Sequence, residues 1–263
     1  VHDFTYEYFI TGLAKYIHIF QYNFSIRNSD GIICVSENTK RDLIKFLPNI
    51  NKKKITVIYN GVGKEFKVLI NPHKYLIDQF QILKKKKYIL YIGDRSPYKN
   101  FDIAVKTIEN TREFFLVIIG GGDLSSTEKE LLINIRDKFF HFKGIDGDKL
   151  NILYNNAFCL LYPSSYEGFG IPLSEAMKAG CPVISTYKSS IPEVVGDAAL
   201  LVKNIDPSSF IHEINNLENV ELRNELINKG LHQVEKFSWD KCYDETYKFY
   251  EEVYNRKFNW KYQ

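Results

Sequence analysis

The chain has few cysteines and no pairing pattern among them. Cys34, Cys159, Cys181 and Cys242 stand far apart without a CxxC, which excludes a disulfide framework and a zinc site of the usual spacing. A reducing compartment fits that usage. Long hydrophobic runs are missing too: the longest, such as 88–92 and 114–119, are strand-sized, against the roughly 18 residues a membrane-spanning helix needs. The sequence gives no expectation of a signal peptide. Nor does one sign of charge dominate. A formal net charge of +3 is too mild for the electrostatic footprint of a nucleic-acid binder, but it suits an anionic small molecule or an anionic membrane face. No repeat or low-complexity segment occurs, and arginine is scarce beside lysine, so each arginine can be considered singly.

What is present is the composition of an ordinary folded protein, 44% hydrophobic and 25% charged over 263 residues. That length corresponds to two domains at roughly 150 residues each. The first residues are Val-His-Asp rather than Met, and the expectation is that part of a longer chain precedes them.

Hydrophobic periodicity predicts one helix over 5–29, a buried strand at 31–36, a helix from an N-cap at Ser36 to about Phe46, where Pro48 follows, and a strand at 54–59. Residues 64–87 are lysine-rich and weakly patterned, and read as a linker ending in a solvated basic run. A second alternation follows, with strands at 88–93, 114–120, 139–143, 157–162, 182–186 and 200–202. Helices are expected near 100–110, 127–138, 149–156 and 172–179, and again beyond Pro207. Near-continuous apolar strands alternating with helices imply a parallel sheet covered on both faces. The fold class is therefore α/β, with two doubly wound, Rossmann-like domains of which the first is incomplete. The expected division is 1–70, 71–238 and a C-terminal helix at 239–263 that packs its aromatics back on the first domain.

Ligands bind such sheets at the carboxyl ends of the strands, and the unusual residues lie there. After the fourth strand of the second domain runs YPSSYEGFGIPLSE, 162–175. It holds two carboxylates, Glu167 and Glu175, around a glycine-rich turn. Pro172 suits the first helical position, which would put Glu175 in the first turn. Gly168 and Gly170 allow close backbone approach and an anion site at a helix start. A carboxylate beside a phosphate pocket repels phosphate, so its natural task is to accept hydrogen bonds from vicinal hydroxyls of a ribose or sugar. The plainer alternative is that Glu175 complements a helix dipole and the glycines only turn the chain. After the first strand of that domain comes GDRSPYKN, 93–100. There Arg95 and Lys99 can neutralise a diphosphate or can simply be a solvated basic turn. Asp146 and Asp148 form an Asp-x-Asp, but Asp148 is better placed to cap the helix that starts near Lys149.

The segment EGFGIPLSE at 167–175, with AMKAGCPVIS at 176–185 and IPEVVGD at 191–197, resembles the retaining GT-B glycosyltransferases of family 4, group 1, with their paired-glutamate signature. The 93–101 loop is similar to the family's lysine loop, in a variant associated with bacterial mannosyltransferases of O-antigen and polysaccharide assembly. His2 and Asp3 resemble the histidine-containing pair late in the family's acceptor domain. The resemblance implies a donor of nucleotide diphosphate sugar, GDP- or UDP-linked, no further cofactor and no metal. It gives Glu175 the ribose hydroxyls and Glu167 the donor sugar. Arg95 and Lys99 take the diphosphate and its developing charge, and His2 the sugar from across the cleft. Backbone from Gly168 through Phe169, Gly170, Ile171, Leu173 and Ser174 joins the donor site, together with Gly93, and Ile145 borders the base. Many members place the arginine directly after the loop glycine, where this chain has Asp94.

The implied activity is retaining transfer of a hexose, mannose among the candidates, to a saccharide or lipid-linked acceptor in surface polysaccharide synthesis. It would take place in the cytoplasm, with peripheral contact at the inner face of the membrane and without nucleic acid. A non-catalytic nucleotide-sugar-binding module or pseudo-enzyme partner is the alternative, and a sugar-nucleotide epimerase of the same fold a third. The intact Glu167 argues against the pure binder.

Overall fold

The computed structural model of the chain describes residues 1–258. The first unit contains helices α1 (Thr5–Phe9), α2 (Leu13–Asn28) and α3 (Glu37–Phe46), with strands β1 (Ile32–Cys34) and β2 (Ile55–Val57) paired in parallel. The helix expected over 5–29 is broken in two. Gly12 adopts φ 80°, a left-handed conformation outside the helical region. Ser36 does cap α3, its hydroxyl accepting from the Thr39 N–H.

The second unit is a six-stranded parallel sheet built of β3 (Lys87–Ile92), β4 (Phe114–Ile119), β5 (Phe139–Phe142), β6 (Cys159–Tyr162), β7 (Val183–Thr186) and β8 (Ala199–Val202), in the order β5-β4-β3-β6-β7-β8. The helices between and after them are α4 (Phe101–Glu109), α5 (Ser126–Leu131), α6 (Gly147–Asn156), α7 (Ile171–Lys178), α8 (Ile191–Val195), α9 (Pro207–Asn216) and α10 (Val220–Gln233). Successive strand residues face opposite sides. Tyr88, Leu90, Leu160 and Val183 meet Leu153, Leu173 and Val194 of α6, α7 and α8 on one face. Ile89, Leu116, Leu161 and Ile184 meet Ala104, Ile108, Phe210 and Ile214 of α4 and α9 on the other. Each such Leu, Ile, Val or Phe side chain, removed from water, stabilises the fold by about 1.5–3 kcal/mol.

The stretch 64–87 is exposed over most of its length and ends in the exposed Lys84, Lys85 and Lys87, but it is anchored: Phe66 and, from the short 3-10 turns Pro72–Tyr75 and Asp78–Leu83, Leu76, Phe80 and Leu83 are buried. The helix expected over 127–138 stops early, as α5 and a 3-10 turn at Ile133–Ile135.

The last helix, α11 (Trp239–Phe258), crosses back to the first unit. Phe249 and Val253 press on Gly31, Trp239 packs against Gly61, and the Arg256 guanidinium donates to the Lys53 carbonyl at 3.0 Å. Its aromatics do not all pack as expected. Phe249 is buried, while Tyr243, Tyr247, Tyr250 and Tyr254 are exposed. Residues 259–263 of the expected C-terminal segment lie outside the described residues. Among the described residues no helix is long and apolar enough to cross a membrane.

Candidate active site

Strand order reverses between β3 and β6, so the loops that follow these two strands diverge to opposite sides and leave a crevice at the carboxyl edge. Both motif loops sit there. They are stitched together: the Ser165 N–H donates to the Tyr98 carbonyl at 2.8 Å. The Asn100 amide donates to the Pro163 carbonyl at 2.8 Å and the Ser165 hydroxyl at 2.7 Å. Asn100 itself caps α4 at φ 51°, a left-handed position that asparagine tolerates better than most residues. This residue was not singled out from the sequence, although its place directly after the lysine of a proline turn was the available signal.

Lys99 and Glu167 meet across the stitched loops, Nζ to Oε1 at 2.6 Å, with the Tyr162 hydroxyl 3.3 Å from the ammonium. Their side chains retain only 12% and 10% exposure. A charge pair so far from water interacts more strongly than a surface pair, and neither partner can leave without a substitute. The backbone around Glu167 is fixed from below. Its N–H donates to the Ser189 hydroxyl at 2.8 Å, and the Ser190 hydroxyl donates to the Glu167 and Phe169 carbonyls at 2.9 and 3.1 Å.

Glu175 lies beyond the glycine turn. Gly170 is the N-cap of α7 at φ 92°, and α7 begins at Ile171. Pro172 is thus the second helical residue and Glu175 the fifth, one residue further in than expected. The Tyr154 hydroxyl donates to Glu175 Oε2 at 3.0 Å, with the Pro172 carbonyl a second acceptor at 3.2 Å. Burial pushes the Glu175 carboxyl up to about 7 from its ordinary 4.5. The Tyr154 hydrogen bond opposes that rise and the nearby Glu65 charge adds to it. Tyr154 is itself held far above the usual phenol range by burial. Phe169, Leu173 and Ser174 turn their side chains into the core, and the Leu173 N–H is taken by the Gly170 carbonyl. Ile171 stays exposed, whereas Ile145 leans on the core beside Gly144 and Gly93 closes the end of β3.

Arg95 is engaged away from this pair. Its Nε contacts Glu128 at 2.7 Å, and its other nitrogens reach the carbonyls of Gly120 (2.9 Å), Gly121 (2.7 Å) and Asp123 (2.9 Å). The side chain is 3% exposed. The guanidinium therefore clamps the Gly120–Gly122 turn, whose three glycines all have φ between 66° and 88°. A long-range partner such as Glu128 leaves no local trace in the sequence. Asp146, not Asp148, caps α6, accepting from the Lys149 N–H at 2.9 Å. The helix starts two residues earlier than expected, at Gly147. Among the described residues no group of three or more His, Cys, Asp or Glu side chains could hold a metal ion.

His2 is exposed, and its backbone carbonyl lies directly on Gly168, where any Cβ would collide with it. The first unit thereby touches the carboxylate loop. Further contacts of this kind come from Ser36, expected only as a helix cap, and from Thr39, Asp42 and Tyr166, which no sequence signal marks. Ser36 and Thr39 donate to the Gly168 carbonyl at 2.6 and 3.1 Å, and the Tyr166 hydroxyl donates to Asp42 at 2.7 Å.

The profile of the Glycosyl transferases group 1 family matches residues 74–233, and that of Glycosyltransferase Family 4 matches residues 1–66. The O-antigen chain mannosyltransferase RfbU of Salmonella typhimurium is 28% identical over 84% of this chain and 60% of its own length. The O-antigen chain mannosyltransferase B of Escherichia coli is 33% identical over 62% of this chain and 45% of its own length. The chain thus spans no more than about 60% of either relative. Among solved structures, the sucrose-phosphate synthase of Thermosynechococcus elongatus superposes with a TM-score of 0.83 at 20% identity, covering 96% of this chain and 66% of that one. Anabaena Alr3699/HepE in complex with UDP and glucose gives 0.75 at 18% identity, covering 87% and 65%. At such identities the likeness concerns the fold.

Proposed function

Because the chain belongs to the group 1 glycosyl transferases and has their GT-B fold, we propose that it carries the donor side of a hexosyl transfer from a nucleotide diphosphate sugar to a saccharide or lipid-linked acceptor. Mannose is the first sugar to test, given what RfbU and mannosyltransferase B are named for. The observation that carries this reading is the Lys99–Glu167 pair at the switch point of the sheet, with Glu175 one helical turn further along.

Each group has a task that its chemistry supports. An ionised Glu175 accepts two hydrogen bonds from the ribose hydroxyls, the bidentate geometry a carboxylate offers to vicinal donors. A diphosphate entering the crevice takes Lys99 from Glu167, and the freed carboxylate turns to the hydroxyls of the donor sugar. As the glycosidic bond to the diphosphate breaks, negative charge grows on the leaving oxygens. The preplaced ammonium, in a site with little water, lowers the energy of that state more than that of the bound donor. The acceptor hydroxyl attacks from the face the nucleotide leaves and gives its proton to the departing phosphate, so the anomeric configuration is retained. No metal takes part. Arg95 has a supporting task in this scheme: it holds the glycine turn that borders the diphosphate.

The test is a thermal-shift panel of GDP- and UDP-sugars, run in parallel with EDTA and with Mg²⁺. A true donor at about 100 times its Kd stabilises the protein by about 2.7 kcal/mol, or roughly 5–10 °C. Unchanged melting across the whole panel refutes the donor reading, and a shift that appears only with Mg²⁺ refutes the metal-free one.

A further inference from the structure

Glu167 is gripped from the opposite unit on both sides. Its predecessor, Tyr166, donates its hydroxyl to Asp42 Oδ2 at 2.7 Å and accepts from the Phe4 N–H at 3.0 Å. Its successor, Gly168, offers its carbonyl to the Ser36 hydroxyl at 2.6 Å and the Thr39 hydroxyl at 3.1 Å. Ser36 caps α3, and Thr39 and Asp42 lie on its first two turns, so one short stretch of helix makes all of these contacts except the one from Phe4. The helix is in turn docked by the second unit: both carboxylate oxygens of Glu193 accept from α3, from the Glu37 N–H at 2.6 Å and the Asn38 N–H at 3.1 Å.

These are costly groups to bury for packing alone. Asp42 is 8% exposed and forms no ion pair among the described residues. Instead it accepts from the hydroxyls of Tyr166 and Tyr8 and from the Asn38 amide. A carboxylate out of water and without a cation is tolerated only when its hydrogen bonds are all directed. Apolar residues would hold two surfaces together without that cost. What a directed network adds is a defined orientation for the segment it holds.

We propose that Asp42, Ser36 and Thr39 are positioning residues that aim Glu167 at the donor sugar, through Tyr166 and Gly168. The aim of a carboxylate on the donor side is thus set by the acceptor-side unit, and a sugar nucleotide is gripped fully only when α3 is docked. The functional half of this inference rests on the donor reading above; the positional half does not.

The experiment compares the full chain with its Tyr166→Phe and Asp42→Asn variants and the double variant. Tyr166→Phe keeps the ring packing, and so preserves the test should Asp42→Asn fail to fold. The first readout needs no ligand: the acetylation rate of Lys99 by mass spectrometry, with Lys106 as a remote control. Release of Glu167 should expose Lys99 and raise its rate several-fold in each variant, with no further rise in the double variant and no change at Lys106. Equal rates in wild type and variants overturn the inference whatever the protein binds. The second readout is calorimetry with GDP-mannose, GDP, UDP-glucose and UDP. The variants should bind the free nucleotide like wild type while the sugar nucleotide weakens about tenfold, or 1.4 kcal/mol. Loss of nucleotide and sugar nucleotide in equal measure indicates general disruption and also overturns it. A wild type that binds none of the four refutes the donor reading instead, and the acetylation result still decides the positional claim.

Discussion

Replacing Glu175 by glutamine isolates one charge in the site. The isosteric amide keeps an acceptor for the Tyr154 hydroxyl, so packing is preserved and only ionisation is lost. In the folded protein the Glu175 carboxyl is pushed up to about 7 by burial, against 4.5 in the unfolded chain. Between these values the folded state holds the proton that the unfolded state has released. Stability from this group is therefore present at low pH and is lost as pH rises towards 7. At 1.36 kcal/mol per pKa unit the whole loss is roughly 3 kcal/mol, of which about 2.5 falls between about pH 5 and about pH 8. Other titrating groups contribute equally to both proteins and cancel in the difference. Urea denaturation across that range should show Glu175→Gln overtaking wild type as pH rises, the gap growing by this amount and levelling off above neutrality. Parallel curves for the two proteins would refute the burial argument. The same pair of proteins tests function. If the ionised carboxylate accepts from a ribose, wild-type affinity for a nucleoside diphosphate climbs with pH relative to the variant. At about pH 8 the variant binds more weakly by about 1.5–3 kcal/mol, the value of hydrogen bonds to a charged group.

Two further perturbations follow from contacts between distant segments. Gly168→Ala drives a methyl group into the His2 carbonyl, and such overpacking costs about 1–3 kcal/mol; an unchanged melting temperature would mean that the first residues do not lie on this loop. Arg95→Ala leaves Glu128 and three carbonyls without their donor. The loss of one partner of a nearly buried pair should cost about 3 kcal/mol, and lysine should recover little of it for want of the planar fork. Urea denaturation measures both substitutions, and a cost below about 1 kcal/mol for alanine would mean that the clamp is not made in solution.

The second unit was legible because its strands are buried on both faces, so their apolar runs are short, continuous and separated by helical patterns. Glu167, Glu175 and Lys99 were legible for a related reason: each lies on the loop or the helix start that follows a strand, and strand ends in such sheets converge at one edge. Other features depended on partners far away in the chain. Arg95 carries the charge expected of a phosphate ligand, yet its acceptors at 120–128 decide its place. Asp42 looks like any solvated helical residue until Tyr166, 124 positions on, covers it. The 64–87 segment lacks a clear period because it packs through irregular turns, and Gly12 divides a helix whose hydrophobic pattern continues on either side.

The cross-stitching of the loops after β3 and β6 has a mechanical consequence. Tied by Asn100 and Ser165, they form a single stiff jaw that cannot widen by parting its own two halves. On the donor reading, room for an incoming sugar nucleotide comes from the other jaw, by swinging α3 and the first residues away from Gly168. The pace of loading and unloading then belongs to the hinge segments that join the halves, near Gly61 and Trp239, and not to the flexing of the pocket floor.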